Sequence, residues 1–120
     1  MAEQGSQFEL YPPGRPALVF YKADWCPHCR DFMPTFAAAE PILRNRMDME
    51  IWTIDADRFP EILEEEGVSS FPTVHLHLPR SNPKRKTHRK VQYTSTHIHD
   101  TRTLLDWIAK HAHRYHHKKK

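Results

Sequence analysis

The stretch "FYKADWCPHCR", residues 20–30, contains both cysteines of the 120-residue chain. Cys26 and Cys29 lie three positions apart, which puts both sulfurs on one face of a helix that begins near Pro27. Asp24 is the predicted N-cap, and Pro27 suits the first turn because its missing N–H is not needed there. A helix N-terminus offers partial positive charge and free N–H groups to a thiolate, which is the form that attacks disulfides. The spacing therefore predicts a redox pair in which Cys26 attacks and Cys29 resolves the mixed disulfide.

A metal site and plain packing are the alternatives for this pair. A structural zinc needs four Cys or His ligands, and ten histidines leave a Cys2His2 set open. No histidine pair follows at zinc-finger spacing, so we predict no metal ligands. The histidines of "HLH", His75 and His77, share a strand face and are expected at the surface. Packing alone is disfavoured because Trp25, Pro27 and His28 are unusual neighbours for buried cysteines. In the redox interpretation, His28 adds a hydrogen-bond donor or a positive charge near the thiolate.

The elements around the pair alternate between strand and helix. The apolar run "ALVFY", 17–21, predicts a strand buried on both faces. The helix after it is interrupted by Pro34 and Pro41, so two helices are expected, the second over 41–46. The remaining expectations are strands at 50–55, 72–78 and 88–95, a helix capped by Asp57 and ended by Gly67, a basic hairpin turn at 80–87, and a last helix capped by Asp100. The domain is expected over 17–110, after a polar lead-in (1–16, with a short strand at 8–10) and before a basic, His-rich tail (111–120) for which disorder is expected.

Composition favours a single small domain with a cytoplasmic or nuclear address. The chain is long enough to enclose one core, and it has no apolar run of the length that a membrane span needs. No signal peptide or retention tetrapeptide is visible. In a reducing compartment, a close cysteine pair is more often catalytic or metal-binding than a structural crosslink.

Charge is unevenly distributed, with a formal net charge of +3. Residues 80–90 hold six Lys and Arg without an acid, whereas 54–66 hold six acids. The basic segment 84–90 contains "PKRK", which fits a nuclear signal, but charge runs are usually solvated turns. No aromatic residue interleaves with these charges, so we do not expect nucleic acid to be a partner. The sequence gives no indication of an oligomeric state.

The cysteine motif together with "FPTV", in which Pro72 lies 43 residues beyond Cys29, resembles the thioredoxin superfamily. The resemblance covers about residues 17–110 and includes the catalytic domains of protein disulfide isomerases. It implies an α/β fold with a central mixed sheet flanked by helices, in strand order 1-3-2-4-5 if the lead-in supplies the first strand. It also implies that Trp25 lies exposed at the rim and that Pro72, in a cis bond to Phe71, helps to hold a substrate strand.

The function implied is thiol–disulfide oxidoreduction on protein disulfides, with an external thiol reductant or oxidant and no cofactor beyond the Cys26–Cys29 disulfide. The Pro27–His28 dipeptide resembles that of oxidising members, so a more oxidising pair than an ordinary thioredoxin's is expected. One departure is Phe20, which occupies the place of the family's buried acid. Two alternatives follow: resolution at Cys29 is slow, or another group such as Lys22, Asp24 or His28 moves its proton. This departure leaves open a non-enzymatic, thioredoxin-like adaptor.

Overall fold

The structure is a computed structural model that describes residues 15–79, 88–93 and 100–118, with the backbone only for 88 and 113–118. Its elements, in chain order, are β1 (Ala17–Lys22), α1 (Pro27–Met47), β2 (Glu50–Asp55), α2 (Pro60–Glu66), β3 (Thr73–Pro79), β4 (His88–Gln92) and α3 (Thr101–Lys118). The expected lead-in strand at 8–10, the turn at 80–87 and positions 94–95 of the last strand lie outside the described residues. The last strand was expected to include Tyr93, which is wrong because β4 ends at Gln92. Among the described residues, no helix combines the length and the apolar character that crossing a bilayer requires.

Four strands form one mixed sheet in the order β2-β1-β3-β4. β1 pairs in parallel with β2 and antiparallel with β3, and β3 pairs antiparallel with β4. β1 is central, and its residues from Ala17 to Tyr21 are buried, as the continuous apolar run predicts. The family resemblance implies the order 1-3-2-4-5, in which the lead-in supplies strand 1. Without that strand, the implied order is the same as the observed order β2-β1-β3-β4.

Alternation along β1 directs its side chains into two separate cores. Leu18 and Phe20 pack with α1 and α3, whereas Val19 and Tyr21 pack with α2 and the cysteine pair. Phe20 is 1% exposed, with its ring centroid 5.1 Å from that of Phe32 and 4.7 Å from that of Phe36. The sheet is therefore covered by helices on both faces, as expected.

The cysteine helix is longer and more continuous than the sequence suggested. The expected division at Pro41 is wrong, because α1 runs without a break from Pro27 to Met47 and contains both internal prolines. A proline removes one backbone hydrogen bond, but Phe36, Ala39 and Leu43 stay buried along one stripe of this helix. Packing on both sides of Pro41 holds the helix together.

Two of the other helix ends also differ from the expectation. α2 begins after Phe59, which makes no side-chain cap, and Asp57 instead donates its backbone N–H to Asp55 in the preceding turn. Gly67 ends α2 with φ of 72°, as predicted. The helix α3 continues to Lys118, so the expected disorder from residue 111 is wrong: Ala112, one turn beyond Ile108, is buried in the core.

Candidate active site

Cys26 itself is the N-cap of α1, in an extended conformation with φ −92° and ψ 114°. Its Sγ accepts a hydrogen bond from the backbone N–H of Cys29 at 3.2 Å. The predicted cap, Asp24, is wrong, because its carboxylate is exposed and pairs with Lys22 at 2.7 Å. Pro27 is the first helical residue, as expected, and the cap must be the residue directly before it. The nucleophile candidate thus lies where the unpaired N–H groups of the helix point.

Cys29 is fully buried one turn further along the helix. Burial, and secondarily the hydrogen bond with Cys26, raises the pKa of the Cys29 thiol to about 11. The positive charge of Lys22 acts in the opposite direction. Both cysteines are free thiols, so the structure shows the reduced pair, with Cys29 held protonated at neutral pH.

The loop at Phe71 and Pro72 closes over the cysteine pair. The peptide bond between these residues is cis, and the carbonyl oxygen of Phe71 accepts a hydrogen bond from the Cys26 thiol at 3.5 Å. The Phe71 ring meets the Trp25 indole edge-on, with centroids 5.9 Å apart. Residues 45 positions apart in sequence thereby form one site.

The rim of the site is exposed around Trp25, as the resemblance implies. The Trp25 side chain is 61% exposed, and its Nε1–H donates to Asp57 at 3.4 Å. His28 also lies exposed on the first turn of α1. A flat aromatic surface therefore lies next to a sulfur that is itself only 4% exposed.

Lys22 is a charged side chain that acts on Cys29, and it pairs with two carboxylates. The Nζ of Lys22 lies 2.7 Å from Asp24 and 3.7 Å from Asp55. The hydrogen bond to Asp24 raises the pKa of Lys22. Asp55 was missed in the sequence because it appears there only as the last residue of a strand. Phe20 lies in the apolar core and cannot take the proton of Cys29. Lys22, whose own pKa is raised, acts on Cys29 through its positive charge and not as a proton acceptor.

The expectation that His75 and His77 form a surface pair is wrong. Both are buried, because all seven residues of β3 are buried inside the sheet. Among the described residues, the group able to hold a metal ion is Glu66, His75 and His77, which does not include the cysteines. The signal in the sequence was the apolar residues around the two histidines in "VHLHL", which are typical of a central strand buried on both faces.

A family model described as Thioredoxin matches residues 5–104 of the chain. The chain belongs to the thioredoxin family. Its cysteine spacing, its sheet order and its Phe71–Pro72 loop next to Cys26 are consistent with that membership.

Relatives of known sequence are longer proteins. The chain is 32% identical over 65 residues to a probable protein disulfide-isomerase A6 of Medicago sativa, covering 54% of this chain and 18% of the relative. It is 39% identical over 57 residues to a protein disulfide-isomerase of Schizosaccharomyces pombe, covering 48% and 16%. The chain thus spans less than a fifth of these relatives.

The fold also matches a solved structure over nearly its whole length. The Trx4 domain of ERdj5 superposes with a TM-score of 0.72 at 19% identity, covering 92% of this chain and 90% of that domain. The thioredoxin-like α/β fold expected from the sequence is confirmed. The chain is thus a thioredoxin-like domain of the thioredoxin family.

Proposed function

We propose that this domain exchanges its Cys26–Cys29 pair with disulfides in other proteins. The observation that carries the proposal is the placement of the Cys26 sulfur at the N-terminus of α1, hydrogen-bonded to the Cys29 N–H, with the second sulfur buried one turn away. Helix N-H groups stabilise negative charge on an attacking sulfur and on a departing one.

The reaction has two exchange steps. The Cys26 thiolate attacks one sulfur of the substrate disulfide, a Cys26–substrate bond forms, and the other substrate sulfur leaves as a thiolate. Cys29 then loses its proton and attacks the Cys26 sulfur, so that the substrate's remaining sulfur leaves. The substrate has gained two electrons and the pair is oxidised; an external dithiol resets it, and the reverse sequence oxidises a substrate.

The substrate surface in this proposal is formed by Trp25, Phe71 and Pro72. Trp25 offers exposed aromatic area beside the sulfur, and an extended substrate segment would lie along the Phe71–Pro72 loop through backbone hydrogen bonds. Such binding depends on backbone groups and a flat apolar surface, which suits protein disulfides of varied sequence. The cytoplasmic or nuclear address and the oxidising character of the pair remain part of the proposal.

A reductase assay tests the proposal. With dithiothreitol as donor, we expect the wild-type chain to accelerate insulin reduction and Cys26→Ser to lose that acceleration. Cys29→Ser should instead accumulate a covalent mixed disulfide with the substrate, visible by non-reducing electrophoresis and mass spectrometry. The proposal is wrong if the wild type is inactive and Cys29→Ser captures nothing.

A non-enzymatic binding module is the second candidate, and Phe20 is the observation that favours it. The side chain lies between Phe32 and Phe36, so the family's proton carrier for the resolving cysteine is replaced by core packing. If the wild type is inactive in the assay above while still folded, the module is the better description.

A further inference from the structure

A second cluster of polar side chains lies on the α2 side of the sheet, with two buried histidines and one partly buried carboxylate. His75 and His77 of β3 are 3% and 2% exposed, and Glu66 is the last residue of α2. The candidate ligand atoms of these three residues all lie within 4.8 Å of one another.

Backbone geometry brings the three residues together. Alternate residues of a strand share a face, and His75 and His77 pair with Val19 and Ala17 of β1. This register places them further along β1 from the cysteines than Thr73, which pairs with Tyr21. The cluster therefore lies under the end of α2, away from the cysteine pair.

Two buried polar atoms at this cluster have no hydrogen-bond partner among the described residues. Within the described part of the chain, the Nδ1 atom of His75 and the hydroxyl of Tyr21 are buried with no hydrogen-bond partner. The two rings pack edge-on with centroids 5.2 Å apart. Buried polar atoms in native proteins are nearly always satisfied, so an unsatisfied imidazole nitrogen beside a carboxylate indicates an absent ligand.

The charge state of the cluster suits a cation. Glu66 supplies negative charge and holds the Nζ of Lys90 at 3.2 Å. The bound ammonium shows that a positive charge is already accommodated at this carboxylate.

We propose that Glu66, His75 and His77 bind one divalent cation of the zinc class, which joins the end of α2 to the central strand β3. Two imidazole nitrogens and one carboxylate oxygen form a known zinc donor set that leaves a fourth position for water. Ligand atoms that each lie about 2.1 Å from a tetrahedral zinc ion lie roughly 3.4 Å from one another. The candidate ligand atoms already lie within 4.8 Å of one another, so small side-chain rotations would complete the site. The proposal does not depend on the thiol chemistry.

The test must remove the two metal-binding groups most able to compete, which are the cysteine pair and the C-terminal histidines. The parent for the measurement is the full chain with both cysteines replaced by alanine and with glutamine at four C-terminal histidines, His111, His113, His116 and His117. Circular dichroism confirms that the parent is folded. Zinc is titrated by calorimetry, and cobalt(II) is added separately to read nitrogen and oxygen ligation from its visible absorption.

Two variants that break the same ion pair provide the matched comparison. Glu66→Gln removes the carboxylate ligand, whereas Lys90→Gln removes only its competing ammonium. We expect the parent to bind one zinc, Glu66→Gln to bind at least about tenfold more weakly, and Lys90→Gln to bind at least as tightly as the parent. A loss of folding caused by the broken ion pair would appear in both variants and in their melting temperatures without zinc.

Two results would overturn the proposal. One is the absence of zinc binding by the folded parent. The other is equal zinc affinity in Glu66→Gln and Lys90→Gln, because the carboxylate would then have no role as a ligand. His75→Gln provides an independent check, since it must abolish the cobalt absorption of the parent.

Discussion

At the residue scale, Cys29 limits the chemistry because it must lose its proton before it can attack. Burial raises its pKa to about 11, so about one molecule in ten thousand carries the Cys29 thiolate at pH 7. Because burial is the main cause of the raised pKa and persists in the mixed disulfide, we predict that closure of the pair accelerates about tenfold per pH unit between pH 7 and 9. Release of glutathione from a preformed Cys26–glutathione disulfide, followed by stopped flow, measures this rate.

Replacement of Lys22 gives a second test of the Cys29 pKa by the same closure rate. The charge of Lys22 lowers the pKa of Cys29, so Lys22→Gln should slow closure throughout the same pH range. A closure rate that is already constant around neutral pH would contradict the assignment of Cys29 as a strongly protonated thiol.

The raised pKa of Cys29 also predicts that the folding stability of the reduced protein depends on pH. The folded-state pKa of Cys29 is raised from 9.0 to about 11, so the folded state holds the proton more tightly than the unfolded state does. The contribution of Cys29 is therefore fully present below pH 9 and is lost as the pH rises toward 11. Urea unfolding of the wild type and of Cys29→Ala should show a stability difference that narrows over this interval, and an unchanged difference would contradict the burial effect.

Sequence reasoning succeeded where a residue's placement is decided locally and failed where the fold decides burial. The position of both cysteines at the start of α1 and the exposure of Trp25 follow from one short motif. The N-cap was misplaced by two residues because the turn at Ala23, whose carbonyl accepts from Cys26 N–H at 3.1 Å, is not visible in composition. His75 and His77 were misjudged because their exposure depends on the helix that covers β3.

At the element scale, Asp100 is a predicted cap that the structure confirms. Its Oδ1 accepts from the N–H groups of Arg102 at 3.0 Å and Thr103 at 3.4 Å. We predict that Asp100→Ala destabilises the protein by about 1 kcal/mol. Asp106→Ala, at an exposed position inside the same helix, is the matched control and should be neutral within about 0.5 kcal/mol.

Thermal or urea unfolding of these two variants measures the difference. Equal stabilities would show that the α3 cap contributes nothing.

The continuous α1, in contrast, was not predictable from local rules, because Pro41 breaks a helix unless tertiary contacts on both sides compensate.

At the scale of the whole molecule, the C-terminal helix belongs to the core beyond residue 110. Ala112 is 1% exposed in the same core as Leu104 and Ile108, and the Trp107 and His111 rings pack with centroids 5.0 Å apart. We predict that a chain ending at 110 is less stable than one ending at 112 by roughly 1–2 kcal/mol. Urea unfolding of the two truncated chains tests this, and equal midpoints would restore the expected boundary at 110.

The sheet order was predictable as a whole because two separated motifs, the cysteine pair and "FPTV", identify one family fold. The bounds of β1, β2 and β3 followed to within one residue from apolar runs and alternation, whereas β4 ends earlier than predicted. The boundary of the tail did not, because histidine-rich composition concealed the four-residue spacing of Leu104, Ile108 and Ala112 that continues the apolar stripe of α3.

The most direct measurement of the central claim is the equilibrium of the Cys26–Cys29 pair in glutathione buffers of graded ratio, read by mass spectrometry after alkylation. The account predicts a single two-electron transition in which an intramolecular disulfide forms and both alkylated thiols disappear together. Independent glutathione adducts on each cysteine, or two thiols that stay reduced across the whole series, would contradict it.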